Sequence, residues 1–309
     1  MGTFDLNDLI TLSAESISEF VHPQQLSVSL LLNGTRRWYI AEYLDAPPRD
    51  DSYFHDYMEK VLVKLADLIT MLLEHGVYRI FLPVYSWHQP NRHPKAHYYL
   101  LKGIEALLHY PQLAAVYRKF NCQVRFYGSA DHLSENLQAQ LRQSVSYSSG
   151  EAHHHIYYGL EGEKPHDYSL QLAYEFGLEH NRPPTWEDML EMYYGDRTLR
   201  PLDILIGFNR IYSRMGIPHL LEGNERIYNT VVTPLVLSER SFKAILHDYF
   251  ANYHDWGRDY KNIHPNEIKR LKRFYALNQD SVIGLVRKYE NLVYPVSHIN
   301  WPDEMDEPT

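Results

Sequence analysis

Two short apolar runs, Leu26–Leu32 and Tyr78–Tyr85, bracket a stretch in which Tyr57, Val61, Leu65, Leu68 and Leu72 recur three or four residues apart. That spacing lays one apolar stripe along a helix, predicted over Ser52–Glu74, and Gly76 stands where a left-handed residue would end it. Strand, helix and strand in this order read as a βαβ unit, with parallel strands and a helix over one face. The habit continues down the chain. Gln123–Tyr127, Ile156–Leu160, Leu202–Ile206 and Asn229–Leu235 read as strands. Helices are expected over His97–Phe120, with Pro111 opening its second half, and over Asn136–Val145. Thr185 and Asp188 form a capping box for a helix that ends at Gly195, Ser238 precedes a helix over Phe242–Tyr253, and another covers His264–Ala276. The expected fold is α/β: one domain over residues 1–296, a central, mostly parallel sheet flanked by helices, then a flexible tail over 297–309. In such sheets ligands bind beyond the carboxyl ends of the strands, so the loops directly after strands are the informative ones.

Charge and cysteine content remove several function classes. Acidic residues number 39 against 30 basic ones, giving a net charge of −9, so nucleic acid is an unsuitable partner. Four of the acids, Asp303, Glu304, Asp306 and Glu307, lie in the last seven residues. Cys122 is the single cysteine, which excludes an intrachain disulfide and a multi-cysteine metal site. The first 35 residues hold no Lys or Arg, and no apolar run approaches the ~18 residues of a membrane span. The expectation is a soluble, cytoplasmic protein without a membrane span.

The loop after the first strand is Asn33-Gly34-Thr35-Arg36-Arg37-Trp38. A glycine allows close backbone approach, free amides at a helix start favour an anion, and arginine forks match phosphate oxygens. These residues read as a diphosphate cradle; read blandly, they are a solvated basic turn. Gly223–Asn229 and the segment Asp203–Gly207 followed by Arg210 place further arginines, Arg226 and Arg210, beside strands.

These motifs resemble the cis-prenyltransferase family. Its first strand ends in Asp-Gly-Asn-x-Arg-Trp, which Asn33–Trp38 is similar to, with Arg36 or Arg37 as the phosphate arginine. Its Gly-Glu-x-Arg-Ile-Ser-Asn motif is similar to Gly223–Asn229, and its Pro-Asp-Leu-Leu-Ile strand to Asp203–Ile206. The likeness is greater to a divergent branch, of the tuberculosinol and kolavelool synthase type. It runs through Gly34–Trp38, Asp56-Tyr57, Glu74–Gly76, Phe126–Gly128, Pro183–Thr185, Tyr193–Gly195 and Ile206–Arg210 in collinear order.

The resemblance implies that the chain ionises a bicyclic C20 diphosphate, best matched by kolavenyl diphosphate, and quenches the allylic cation with water to a tertiary alcohol. It implies diphosphate binding by Gly34, Thr35, Arg36, Arg37, Arg210 and Arg226. Magnesium would be held by Asn33 and Asp203, and the cation would be faced by Tyr57, Tyr85 and Trp87. Asn33, Arg37 and Tyr57 are the expected catalytic residues, and a homodimer is the expected assembly. Tyr57 is equally readable as a core tyrosine with its hydroxyl at the rim. Asn33 replaces the family's aspartate, which removes a charge from the metal site. The segment after Asn229 is shorter than in chain-elongating members, which favours a one-substrate reaction. Chain elongation, transfer to adenosine and a non-catalytic partner subunit are the alternatives. His153-His154-His155 invites a metal reading, but neighbouring side chains in a strand face opposite ways, so at most His153 and His155 would cooperate, and a solvated loop or strand edge is the expectation. Asp50-Asp51 and the basic run Lys269–Arg273 read as solvated, and Cys122 as inert core.

Overall fold

The computed structural model describes residues 9, 11–45, 52–89, 94–131, 133–142, 145–146, 151–208, 218–251, 264–280, 286–289 and 292–295. Helix α1 (Ala14–Val21) leads into β1 (Ser27–Leu30), α2 (Thr35–Tyr43), α3 (Tyr53–Glu74) and β2 (Arg79–Ser86). Then come α4 (Pro94–Ala106), α5 (Pro111–Lys119), β3 (Cys122–Tyr127), α6 (Glu135–Arg142), β4 (Val145–Ser146) and β5 (His154–Glu161). The rest is α7 (Pro165–His180), α8 (Trp186–Tyr194), β6 (Ile204–Phe208), β7 (Arg226–Thr230), α9 (Glu239–Ala251), α10 (Pro265–Asn278), β8 (Val286–Tyr289) and β9 (Leu292–Pro295). The main sheet has strand order β4-β3-β5-β2-β1-β6-β7, and β8 and β9 pair separately as an antiparallel ribbon. All pairings in the main sheet are parallel except that of β4 with β3.

Both faces of the sheet are covered, and the strand period sorts the side chains. Val28, Leu30, Ile80, Leu82, Ile156, Tyr158, Ile204 and Ile206 enter the core under α3, α4 and α5. The alternate residues Phe81, Tyr157 and Leu205 enter a second core with Leu190, Tyr193 and Tyr194 of α8. This second core is strongly aromatic: Phe81 and Tyr157 stack at 4.7 Å, and Tyr127 lies 4.8 Å from Tyr194. Burial on both sides explains why the strands read as continuous apolar runs rather than as alternating ones.

Most expected elements are present, with differences that packing explains. The predicted helix over His97–Phe120 is two helices, because Pro111 starts a new one at its first position. The helix predicted to reach Val145 stops at Arg142, and Val145 pairs with Val124 as the antiparallel edge. The last sheet strand is Arg226–Thr230 rather than Asn229–Leu235, since Arg226 through Thr230 register against Ile204 through Phe208. Pro234–Val236 is a 3₁₀ turn instead. Helix α7 was not legible: it turns Ser169 and Phe176 inward but exposes Leu170, Tyr174 and Leu178, so its apolar pattern does not mark a buried stripe. The capping box at Thr185 and Asp188, the left-handed Gly76 and the helix end at Gly195 are as expected. The tail over 297–309 and Asp50-Asp51 lie outside the described residues. No described helix is long and apolar enough to cross a membrane.

The amino edge of the sheet is tied by Asp203, one residue before β6. Its Oδ2 accepts from the backbone N–H and the hydroxyl of Ser27, both at 2.8 Å, and its Oδ1 accepts from the Tyr249 hydroxyl of α9 at 2.8 Å. One carboxylate thereby joins two central strands and a covering helix. Asp203→Ala is expected to destabilise the fold by about 2–4 kcal/mol, because it strands donors that are partly buried. Denaturant unfolding checks this; inorganic diphosphate affinity of the folded variant should be unchanged.

Candidate active site

The first strand ends where its ladder does: the Leu31 N–H still donates to Ile206, and the chain then turns at Asn33-Gly34. Gly34 has φ +80°, which a residue with a Cβ adopts only with strain, and a Cβ there would lie 2.6 Å from the Phe208 ring. Glycine is thus needed twice over. Helix α2 begins at Thr35 without a side-chain cap, so its first-turn amides are presented at the carboxyl edge with the positive end of the helix dipole. Asn33, Arg36 and Arg37 are exposed at this turn, and the Arg37 guanidinium lies 5.8 Å from the Phe208 ring centre.

Beneath the turn lies a cavity of about 220 Å³ between α3 and α4, floored by the ends of β1 and β2. Its depth is apolar, formed by Leu31, Val61, Leu65, Leu100, Ile104 and Leu107 among others. Its rim is polar and includes Asn33, Thr35, Tyr57, Ser86, Gln89 and Glu161. Gly103 of α4 admits the Met58 side chain, which would otherwise sit 2.2 Å from a Cβ. A long apolar group with a polar end matches this division.

Tyr57 packs as a core residue and also lines the cavity. Its ring packs against Tyr39 at 5.5 Å and Phe54 at 6.3 Å, while its hydroxyl shares a 2.7 Å hydrogen bond with the Thr35 hydroxyl at the rim. Behind it the buried Tyr39 donates to Asp56 at 2.6 Å; burial, then that carboxylate, pushes the phenol up to about 12. Tyr85 is buried, with its hydroxyl 2.9 Å from His97 Nε2, and burial raises its pKa. Trp87 is 37% exposed at the cavity mouth, with the Lys164 ammonium 5.7 Å from its ring. Asn33, Thr35, Tyr57, Tyr85 and Trp87 therefore meet at one cavity.

Asp203 and Arg226 do not join them. In a parallel sheet, residues that open strands lie at the edge opposite residues that close them, about 13 Å away for strands of this length. Asp203 is committed to Ser27 and Tyr249. Arg226 opens β7, donates to the Asp248 carbonyl at 3.0 Å and lies over the Tyr249 ring at 5.5 Å. The assignment of Asp203 to metal and of Arg226 to diphosphate is corrected accordingly. Arg210 lies outside the described residues. For magnesium, Asn33 offers one neutral amide oxygen at the cavity, its expected carboxylate partner Asp203 is at the other edge, and no cluster of three His, Cys, Asp or Glu suited to a metal occurs among the described residues. The expected solvated edge at the three consecutive histidines is corrected: β5 lies inside the sheet between β3 and β2, and His154 is buried. His154 Nδ1 pairs with the Val77 carbonyl, whereas His155 faces Arg125, and burial lowers both to about 4.

One site residue escaped the sequence reading. Glu161 closes β5, is 7% exposed, lines the cavity rim, and its Oε1 is buried with no hydrogen-bond partner. Burial raises its pKa to about 7, with His219 pulling the other way. The rule that singled out Asn33, a polar residue directly after an apolar strand, would also have found Glu161. Asn229, at the end of β7, likewise buries an unpartnered Nδ2, and its Oδ1 lies 2.5 Å from where Gly207 would carry a Cβ.

No family model matches the chain. It is similar to the tuberculosinyl adenosine transferase of Mycobacterium tuberculosis (strain CDC 1551 / Oshkosh), at 25% identity over 293 residues, covering 92% of this chain and 96% of that protein. Among solved structures it is similar to lavandulyl diphosphate synthase from Lavandula x intermedia, solved in complex with dimethylallyl diphosphate. The TM-score is 0.60 at 15% identity, over 75% of this chain and 98% of the other. A probable undecaprenyl diphosphate synthase from Campylobacter jejuni gives a TM-score of 0.51 at 14% identity, over the same shares. The fold is that of the cis-prenyltransferases.

Gly34→Ala tests the turn. The added strain and the Phe208 clash displace the start of α2, so affinity for inorganic diphosphate should fall at least about tenfold, an energy of ~1.4 kcal/mol. Isothermal titration of folded variant and wild type checks this.

Proposed function

We propose that this protein ionises a bicyclic C20 diterpenyl diphosphate and captures the allylic cation with water, releasing diphosphate and a tertiary diterpene alcohol. Kolavenyl diphosphate giving kolavelool is the preferred pair. The observation that carries the reading is the apolar cavity whose rim is the anion-favouring start of α2, with Tyr57 bonded across to Thr35. The apolar depth takes the hydrocarbon. The first-turn amides of α2, with Arg36, Arg37 and Arg210, take the negative charge that develops on diphosphate as the C–O bond breaks. No step is routed through magnesium. The faces of Tyr57, Tyr85 and Trp87 attract the allylic cation, each by about 0.5–2 kcal/mol.

A second reading is favoured by one comparison. The relative from Mycobacterium tuberculosis is named an adenosine transferase, so capture by adenosine instead of water uses the same cavity and leaving-group grip. The location in this reading is the cytoplasm and the assembly a homodimer. The exposed stripe Leu170, Tyr174 and Leu178 on α7 supports the dimer, with each residue about 70% exposed.

Purified protein incubated with kolavenyl, halimadienyl or geranylgeranyl diphosphate, with and without adenosine, should convert one bicyclic substrate to a tertiary alcohol seen by gas chromatography and mass spectrometry. A nucleoside adduct instead selects the transferase reading. Incorporation of labelled isopentenyl diphosphate selects chain elongation, and failure to bind any prenyl diphosphate selects a non-catalytic subunit. Arg37→Ala should lower kcat/KM at least about 100-fold, the size expected when one stabilising donor to the developing charge is lost. Tyr57→Phe should slow turnover or change the product mixture. Leu170→Glu with Leu178→Glu should convert dimer to monomer in analytical ultracentrifugation.

A further inference from the structure

We propose that Glu161 is the proton acceptor for the nucleophile, and that the nucleophile binds over the carboxyl end of β5, on the opposite side of the cavity from the diphosphate. This rests on the ionise-and-capture reading above and deepens it.

The strand order places the two functions apart. Asn33 and Thr35 follow β1, Glu161 closes β5, and β2 lies between them. Two strand spacings are about 10 Å, enough to hold an allylic carbon between a leaving group and an attacking group. Each side begins a helix, α2 on one and α7 on the other, and both open onto the cavity through Thr35 and Pro165.

Hydrogen-bonding capacity at the cavity is unmet. Glu161 Oε1 and Gln89 Oε1 both belong to cavity-lining residues, and both are buried without a partner. Buried acceptors without donors cost free energy, and their persistence at a cavity marks a place for a ligand that donates. Water, a hydroxyl or an amino group donates; diphosphate at neutral pH mainly accepts. Tyr127, Tyr193 and Tyr194 also feel the Glu161 charge, and the Tyr127 hydroxyl is buried without a partner too.

The step balances as follows in atoms and electrons. The allylic C–O bond breaks, and both its electrons leave with diphosphate. A lone pair on the nucleophile H–X forms the new C–X bond. The H–X bond breaks, its electrons stay on X, and the proton passes to the Glu161 carboxylate. The products are R–X, diphosphate and one proton. The charge of His219 reaches Glu161, and His219 in turn has its Nδ1 3.5 Å from Glu222 Oε1, whose side chain is 45% exposed, and its ring 4.6 Å from that of His166. Burial sets the Glu161 titration near 7 against the pull of His219, so the carboxylate form needed to accept a proton is lost as pH falls through about 7.

The test uses the full-length protein with the diphosphate that wild type converts. Wild-type kcat should fall as pH drops below about 7. Glu161→Gln should lower kcat at least about 100-fold, within the range general-base catalysis supplies, with KM and inorganic diphosphate affinity within about threefold of wild type. Its remaining turnover should lack the acid limb and shift from the capture product to alkenes formed by proton loss from carbon. Glu161→Asp should restore part of the rate. Unchanged kcat in Glu161→Gln, a retained acid limb, loss of diphosphate affinity in that variant, or a wild-type rate flat through pH 7 each overturns the proposal while leaving the ionisation reading in place. No conversion of any diterpenyl diphosphate by wild type overturns the reading itself and this inference with it.

Discussion

Parallel pairing of the central strands decides where everything else can be. β1 hydrogen-bonds in parallel with β2 on one side and β6 on the other, and β5 continues the same direction beyond β2. Every loop that leaves these strands at the carboxyl edge therefore emerges on one side of the molecule. The polypeptide must return over a face to start the next strand, and the returning helices α3 and α4 leave a cavity between them. The cavity is a consequence of the crossover geometry, and its polar rim follows from which residues end the strands.

The two edges of the sheet use their polar groups differently, the amino edge mainly to tie strands and helices together. At the amino edge, Asp203 is held by Ser27 and Tyr249, and Arg226 by Asp248 and Tyr249, while the buried Arg79 that opens β2 keeps an unpartnered Nε. Deeper in the second core, Tyr157 donates to Asp196 at 2.5 Å, with Arg125 3.8 Å from the same carboxylate. At the carboxyl edge the groups are left over. The α2 amides lack a cap, and Glu161, Gln89 and Asn229 each bury an atom without a partner. Satisfied groups stabilise the fold, and unsatisfied ones at a cavity are available to a ligand.

Much of this was legible in the chain before folding. The 3.6-residue period of α3, the apolar runs of β1, β2, β5 and β6, the capping box of α8 and the glycines at 34 and 76 all act through local chemistry. Their neighbours in sequence suffice to specify them. The failures share a cause as well. Helix α7 exposes Leu170, Tyr174 and Leu178, and β7 begins three residues early because register with β6, a partner over twenty residues away, sets its limits. Neither property is encoded within a short window.

The sequence alone determined that the central strands would be mostly parallel and that a glycine turn followed by two arginines would leave the first of them. These follow from periodicity, from the need to cross between parallel strands, and from the conformational freedom of Gly34. Tertiary structure alone decided which of the candidate polar residues meet. Asp203 and Arg226 stand beside strands just as Asn33 does, but they precede strands, and strand direction sends them to the far edge. Glu161 follows a strand and reaches the cavity, where burial by residues distant in sequence changes a common surface glutamate into a group that titrates near 7. Desolvation of that kind is a property of the packed neighbourhood, so no reading of the chain by itself contains it.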